Sequence, residues 1–230
     1  MERFFNTAGP QKPDIHYTID PLSRFDLDEV LMLIRQRKYF VLHAPRQTGK
    51  TSCMLALRDL LNSEGDYIAV YANVEGGQAS RDNVDKVVGA TCDIIAERSR
   101  QLLQSDMPLQ VRDSVSAVSG DSRLAVFLQR LAEALPKPLV LFIDEIDALV
   151  GDSLVSVLRQ LRSGYENRPA HFPNSVILFG VRDVRDYRIQ TTGKDIVTGG
   201  SAFNIKSKSL RLGNFTPDEV RELYMQHTEA

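Results

Sequence analysis

Four short runs constrain this chain more than anything else in it: YFVLHA from Tyr39, YIAVY from Tyr67, LVLFI from Leu139 and SVILFGV from Ser175. Each is continuously apolar where a half-exposed strand would alternate, so both of its faces must be buried. Between them lie stretches whose apolar residues recur at helical spacing. KTSCMLALRDLLNSEG ends near Gly65, and NVDKVVGATCDIIAERSRQLL carries Val84, Val87, Val88 and Ile95. Leu124, Phe127, Leu128, Leu131 and Leu135 then share one helical face before Pro136 and Pro138 stop it. Buried strands alternating with helices predict an α/β fold of three layers, a parallel sheet with helices on both faces. Ligands of such sheets bind at the carboxyl ends of the strands, so the functional side chains are expected just after these runs.

The remaining elements follow from weaker signals. Phe25, Val30, Leu31, Leu33 and Ile34 predict a first helix, and residues 1–24, rich in Pro, Gly and polar groups, a segment wrapping a core that spans 25–230. SDMPLQVRDSVSAVSGDS reads as an irregular excursion. Asp152 is expected to cap a helix carrying Leu154, Val155, Leu158 and Leu161, with Gly164 near its end. KSLRL is a candidate fifth strand, and TPDEVRELYMQH a helix with Thr216 as N-cap, Pro217 at the first position and Glu219 completing a capping box.

Composition excludes more than it proposes. The net charge of −2 gives no global pull toward nucleic acid or membrane, and no apolar run approaches a membrane span. MERFFNTAGPQKPD lacks the apolar centre of a secretory signal. Cys53 and Cys92 have no metal-like spacing and read as core thiols, which suits a cytoplasmic protein.

Two local patterns carry chemistry. After the first strand come Ala44, Pro45, Arg46, Gln47, Thr48, Gly49, Lys50, Thr51 and Ser52, matching G-x-x-x-x-G-K-[ST] except that Ala44 replaces the first glycine. Gly49 lets backbone N–H groups approach phosphate oxygens at a helix N-terminus. Lys50 brings an ammonium to the terminal phosphates, and the Thr51 hydroxyl suits Mg²⁺. Alanine is tolerable at position 44 if its φ stays negative. Asp144 and Glu145 end the strand LVLFID at the same edge of the sheet. Asp144 suits a metal, and Glu145 can orient and deprotonate an attacking water. Asp147 reads as a cap for local backbone.

APRQTGKTS together with LVLFIDEID resembles the additional-strand P-loop ATPases of the AAA+/STAND group, and most closely the bacterial and archaeal AAA-like domain ATPases. The resemblance covers Phe25 to the C-terminal helix. It implies a sheet of order 5-1-4-3-2, binding and Mg-dependent hydrolysis of ATP, and a nucleotide state that switches assembly or a partner. It also implies that Arg182, in FGVRD, is a γ-phosphate sensor, the alternative being an ion pair with Asp183 or Asp186. Asn73, in VYANVEG, takes the place of a residue that restrains the catalytic glutamate, or is an ordinary strand-end asparagine. Adenine would lie between the segment Tyr17 to Pro21 and the GNFTP turn. A helical lid usual in the group is not seen in this chain. An arginine finger would come from a second copy or a protein partner, with Arg162, Arg168, Arg185 and Arg188 as candidates. A scaffold with little turnover and a DNA-associated ATPase are the alternatives, the latter drawing on the basic RDVRDYR.

Overall fold

Strand parity decides which helices cover which face of the sheet. The computed structural model describes residues 3–7, 9–181, 183, 188–190 and 196–228. Strands β1 (Tyr39–His43), β2 (Ile68–Asn73), β3 (Leu139–Asp144) and β4 (Ser175–Gly180) are the four apolar runs. β5 (Arg188–Gln190) and β6 (Ile196–Thr198) form a separate antiparallel pair. The candidate fifth strand is β7 (Lys206–Arg211), which completes a five-stranded parallel sheet of order β2-β3-β4-β1-β7. Read from the other edge, with β7 as the fifth strand, this is the implied order 5-1-4-3-2.

Phe40, Leu42, Ala69, Val140, Phe142, Ile177 and Phe179 point to one side, where they pack on α1 (Leu27–Arg35) and α2 (Lys50–Glu64). The alternate residues Val41, Val70, Leu141, Ile143 and Leu178 point to the other. They bury the apolar stripes of α3 (Val84–Leu103), α5 (Gly120–Ala134) and α6 (Gly151–Ser163). By the same parity Tyr71, Asn73 and Asp144 face the α2 side, because each lies an even number of residues from Ala69 or Phe142. The register pairs Asn73 with Asp144 and Tyr71 with Phe142, so these groups come together at one end of the sheet.

Two sequence expectations need correction. The stretch read as irregular contains α4 (Met107–Ser114). Its Pro108 sits in the first turn, where a missing N–H costs nothing, and Leu109 and Val111 pack on the core. α6 is not capped by Asp152: Val150 stands at the N-cap with no side-chain hydrogen bond, and Asp152 lies inside the first turn. The capping box of the last helix is present. After the short α7 (Gly199–Ala202), α8 (Pro217–Thr228) begins with Thr216 Oγ1 accepting from Glu219 N at 3.2 Å. Glu219 Oε2 accepts from Thr216 N at 2.6 Å.

α8 buries no residue fully. It rests on the N-terminal segment, through Tyr17 Oη to His227 Nδ1 at 3.1 Å, Gln226 paired with the Thr18 backbone, and Phe5 against Tyr224. No helix among the described residues is long and apolar enough to cross a membrane.

Candidate active site

The loop after β1 is shaped by two left-handed residues, Gln47 at φ 61° and Gly49 at φ 81°. Glycine takes that conformation without a Cβ penalty. Thr48 Oγ1 donates to the Pro45 carbonyl at 2.9 Å and closes the turn. Ala44 keeps a negative φ and is fully buried, its N–H bonded to Gly180 O at 3.1 Å. The departure from glycine is thus accommodated by prolonging the β1–β4 ladder.

α2 starts at Lys50 with no side-chain cap, and its first intrahelical bond runs from Cys53 N to Gly49 O at 3.0 Å. The N–H groups of Gly49, Lys50, Thr51 and Ser52 find no acceptor among the described residues. Four open donors at a helix N-terminus suit an anion. Ser52 Oγ instead accepts from Gln11 N at 3.1 Å, which lays the N-terminal segment beside the loop.

The Lys50 ammonium lies 3.1 Å from Asp144 Oδ1 and 3.0 Å from Glu145 Oε1. Burial works against its charge, but the Asp144 charge and the Glu145 hydrogen bond outweigh this and hold its pKa above the ordinary lysine value. Glu145 has φ 57°, a left-handed turn that breaks strand parity. That turn lets adjacent acids reach the same lysine from different directions. Asp144 is 1% exposed, and its second oxygen, Oδ2, accepts from Tyr71 Oη at 2.9 Å. Asn73 is not on Glu145; its Oδ1 accepts from Glu75 N at 2.8 Å. Asp147 Oδ2 accepts from Val181 N at 3.4 Å, a backbone group 34 residues away and not the local backbone expected.

These residues line a cavity of about 970 Å³. Ala44 to Gln47, Gly49 to Cys53, Tyr71, Asn73, Asp144 and Glu145 form one part of its wall. Tyr17 to Ile19, Pro21, Arg24, Phe215 and Leu223 form another. The segments expected around adenine therefore border the space that the phosphate loop opens into. Arg182, Arg185 and the rest of the basic run 182–188 lie outside the described residues, except Asp183 and the backbone of Arg188. Asp183 is paired with Lys206 at 2.7 Å. Of the candidate fingers, Arg168 is spent internally on the Tyr165 and Arg37 carbonyls. Arg162 approaches Ser201 O at 3.5 Å.

Tyr71 and Arg24 are site residues that sequence reasoning missed, whereas Phe215 lies in the GNFTP turn expected near adenine. Tyr71 was legible as an interruption of β2 by a hydroxyl on the same face as Asn73, two residues on. Arg24 carries no such signal.

The residues present fit a nucleotide and Mg²⁺. The open helix N-terminus and Lys50 suit phosphate, and Thr51 lines the same cavity with a hydroxyl that suits a metal. No cluster of three or more His, Cys, Asp or Glu for a metal occurs among them. Mg²⁺ at a phosphate needs none, since it keeps several waters and takes few protein ligands.

A parallel sheet in this order, with a lysine-bearing loop after β1 facing an Asp-Glu pair after β3, defines an additional-strand P-loop ATPase fold. The chain belongs to the AAA domain family, whose model matches residues 34–187. Cdc6p from Pyrobaculum aerophilum is similar in structure, with a TM-score of 0.54 and 18% identity over 90% of this chain and 48% of that one. So is a chain of Drosophila ORC bound to poly(dA/dT) DNA and Cdc6, with a TM-score of 0.52 and 11% identity over 87% of this chain and 30% of that one. At such identities the likeness is one of fold. The chain spans about half the length of the Cdc6p chain. No curated protein matches it.

Proposed function

We propose that the chain binds ATP with Mg²⁺ and hydrolyses it, and that its nucleotide state switches an assembly or a partner. The observation that carries this is Lys50, resting between Asp144 and Glu145 at 3.1 and 3.0 Å on the wall of a cavity that the open N-terminus of α2 also lines. Lys50 is the mobile cation, Asp144 and Thr51 would hold the metal, and Glu145 is the base. Mg²⁺, when bound, neutralises charge on the phosphate oxygens. On the protein side, Lys50 leaves the two carboxylates for the terminal phosphates, which frees Glu145. Glu145 takes a proton from water as the water oxygen bonds to the γ-phosphorus. The bond from that phosphorus to the β–γ bridging oxygen breaks, giving ADP and phosphate.

Switching is supported by the composition of the wall. The N-terminal segment, the P-loop and Leu223 of α8 all border one cavity, so filling it presses on elements at both ends of the chain. An arginine finger from a second copy or a partner would complete the site, in keeping with a STAND-like regulator. Buried, unbridged Cys53 and Cys92 suit a reducing cytoplasm. The net charge of −2 gives no support to extensive DNA contact.

Lys50→Ala tests the binding site. It removes the ammonium aimed at the β and γ phosphates, so Mg-ATP binding in a calorimetric titration of the folded variant should be lost or severely weakened. Unchanged affinity would refute the phosphate site.

A further inference from the structure

Asp144 is nearly inaccessible to solvent, so each oxygen of its carboxylate depends on protein donors. Oδ1 accepts from the Glu145 N–H at 2.9 Å and faces the Lys50 ammonium at 3.1 Å. Oδ2 accepts from Tyr71 Oη at 2.9 Å. Among the described residues no other donor reaches Oδ2. The Tyr71 ring lies in turn against the apolar face of the sheet beneath α2.

Asn73 lies two residues after Tyr71 on the same face of β2, and its Oδ1 is fixed by the Glu75 N–H at 2.8 Å. The contact that reaches the buried acid is the one from Tyr71, and it ends on Asp144 and not on Glu145.

We propose that Tyr71 is a positioning residue for Asp144: its hydroxyl sets the rotation of the carboxylate so that Oδ1 is presented toward Lys50 and the metal position. This deepens the proposed function and rests on it. The physical reason is the geometry of a carboxylate. It rotates about one bond, and a donor on each oxygen leaves one orientation. Loss of the Tyr71 hydroxyl leaves Oδ2 desolvated and unbonded, and the carboxylate turns to share the remaining donors.

The test is Tyr71→Phe, which keeps the packed ring and removes only the hydroxyl. ATP is titrated into wild type and variant by calorimetry, first with EDTA and then over a series of Mg²⁺ concentrations. Metal-free ATP affinity should be equal in the two proteins. The Mg²⁺ concentration giving half of the Mg-dependent gain should rise roughly tenfold in the variant, the scale of one hydrogen bond to a charged group. In an Asp144→Asn background, Tyr71→Phe should add no further shift, because the carboxylate it positions is gone. A merely structural role for Tyr71 would lower affinity with and without Mg²⁺ alike, and that result, or an unchanged Mg²⁺ series, would overturn the proposal. If wild type itself shows no Mg-dependent ATP binding, the proposed function falls and this inference with it. An unchanged series in Tyr71→Phe beside normal wild-type binding overturns the inference alone.

Discussion

Arg24 binds three parts of the molecule with one side chain. It donates to Thr48 O in the phosphate loop at 3.1 Å and to Gly213 O at 2.8 Å, and its Nε pairs with Glu219 at 2.9 Å. Its guanidinium also stacks on Phe215, 3.8 Å from the ring centroid. The side chain is 3% exposed, so Arg24→Ala leaves the carbonyl of buried Thr48 short of a donor, while the exposed Gly213 carbonyl can turn to water. Each lost bond of this kind costs about 1–3 kcal/mol. Denaturant unfolding should show a loss within that range or above it, together with weaker ATP binding, because the loop loses its brace. Unaltered stability would contradict this account of Arg24. Lysine is a poor substitute, lacking the planar fork that reaches several acceptors at once. Arg182 is argued from sequence. If it senses the γ-phosphate, Arg182→Ala should weaken ATP about ten- to a hundredfold and leave ADP unchanged, since the lost bond is charge-assisted and depends on the third phosphate. Equal effects on both nucleotides in paired titrations would sink that role. The two arginines also mark where sequence reading stops. Arg182 was visible because the family resemblance puts a sensor after that apolar strand, whereas Arg24 sits in a polar stretch and finds Gly213 across 189 residues of chain.

At the scale of elements, α8 is held differently from the rest. It has no buried residue and depends on its capping box and polar contacts with the N-terminal segment. The Thr216 N–H, as the largest cause, holds the Glu219 carboxyl below its ordinary range. A depressed carboxylate pKa stabilises the folded form above the unfolded value, and the contribution is lost as pH falls through the folded one. Acidification below the ordinary carboxylate range should therefore loosen α8 before the sheet. Amide exchange should show protection in α8 falling first. Thr216→Ala should bring the same loss at neutral pH, at about 1 kcal/mol for a lost N-cap. Simultaneous loss of α8 and the β-strands would contradict this. Helices with a long apolar stripe, such as α3 and α5, were legible because 3.6-residue periodicity accumulates over many turns. α4 was not. It has two turns, one containing Pro108, and its partly buried Leu109 and Val111 are too few to show a period. Asp152 was misread for a related reason: an acid in a first turn and an acid at an N-cap look alike two residues apart.

Over the whole molecule, legibility follows the range of the interactions. The layered α/β sheet could be read because strands buried on both faces must be continuously apolar, a purely local signature. Strand order is not local, and it came from resemblance before the pairing of β1 with both β4 and β7 established it. Lys50 was readable from the loop motif between β1 and α2, and Asp144 and Glu145 because they close an apolar strand. Their meeting within 3.1 Å, the Tyr71 brace and the Arg24 tie depend on folding, which brings distant segments to one edge of the sheet. The central claim is that this edge performs ATP hydrolysis with Glu145 as base. Phosphate release from Mg-ATP by wild type and by Glu145→Gln tests it most directly, with binding measured alongside. The amide keeps the shape but accepts no proton, so the variant should bind ATP as wild type does. Its turnover should fall by about a hundred- to ten-thousandfold. Phosphate release at the wild-type rate in the glutamine variant would contradict the account.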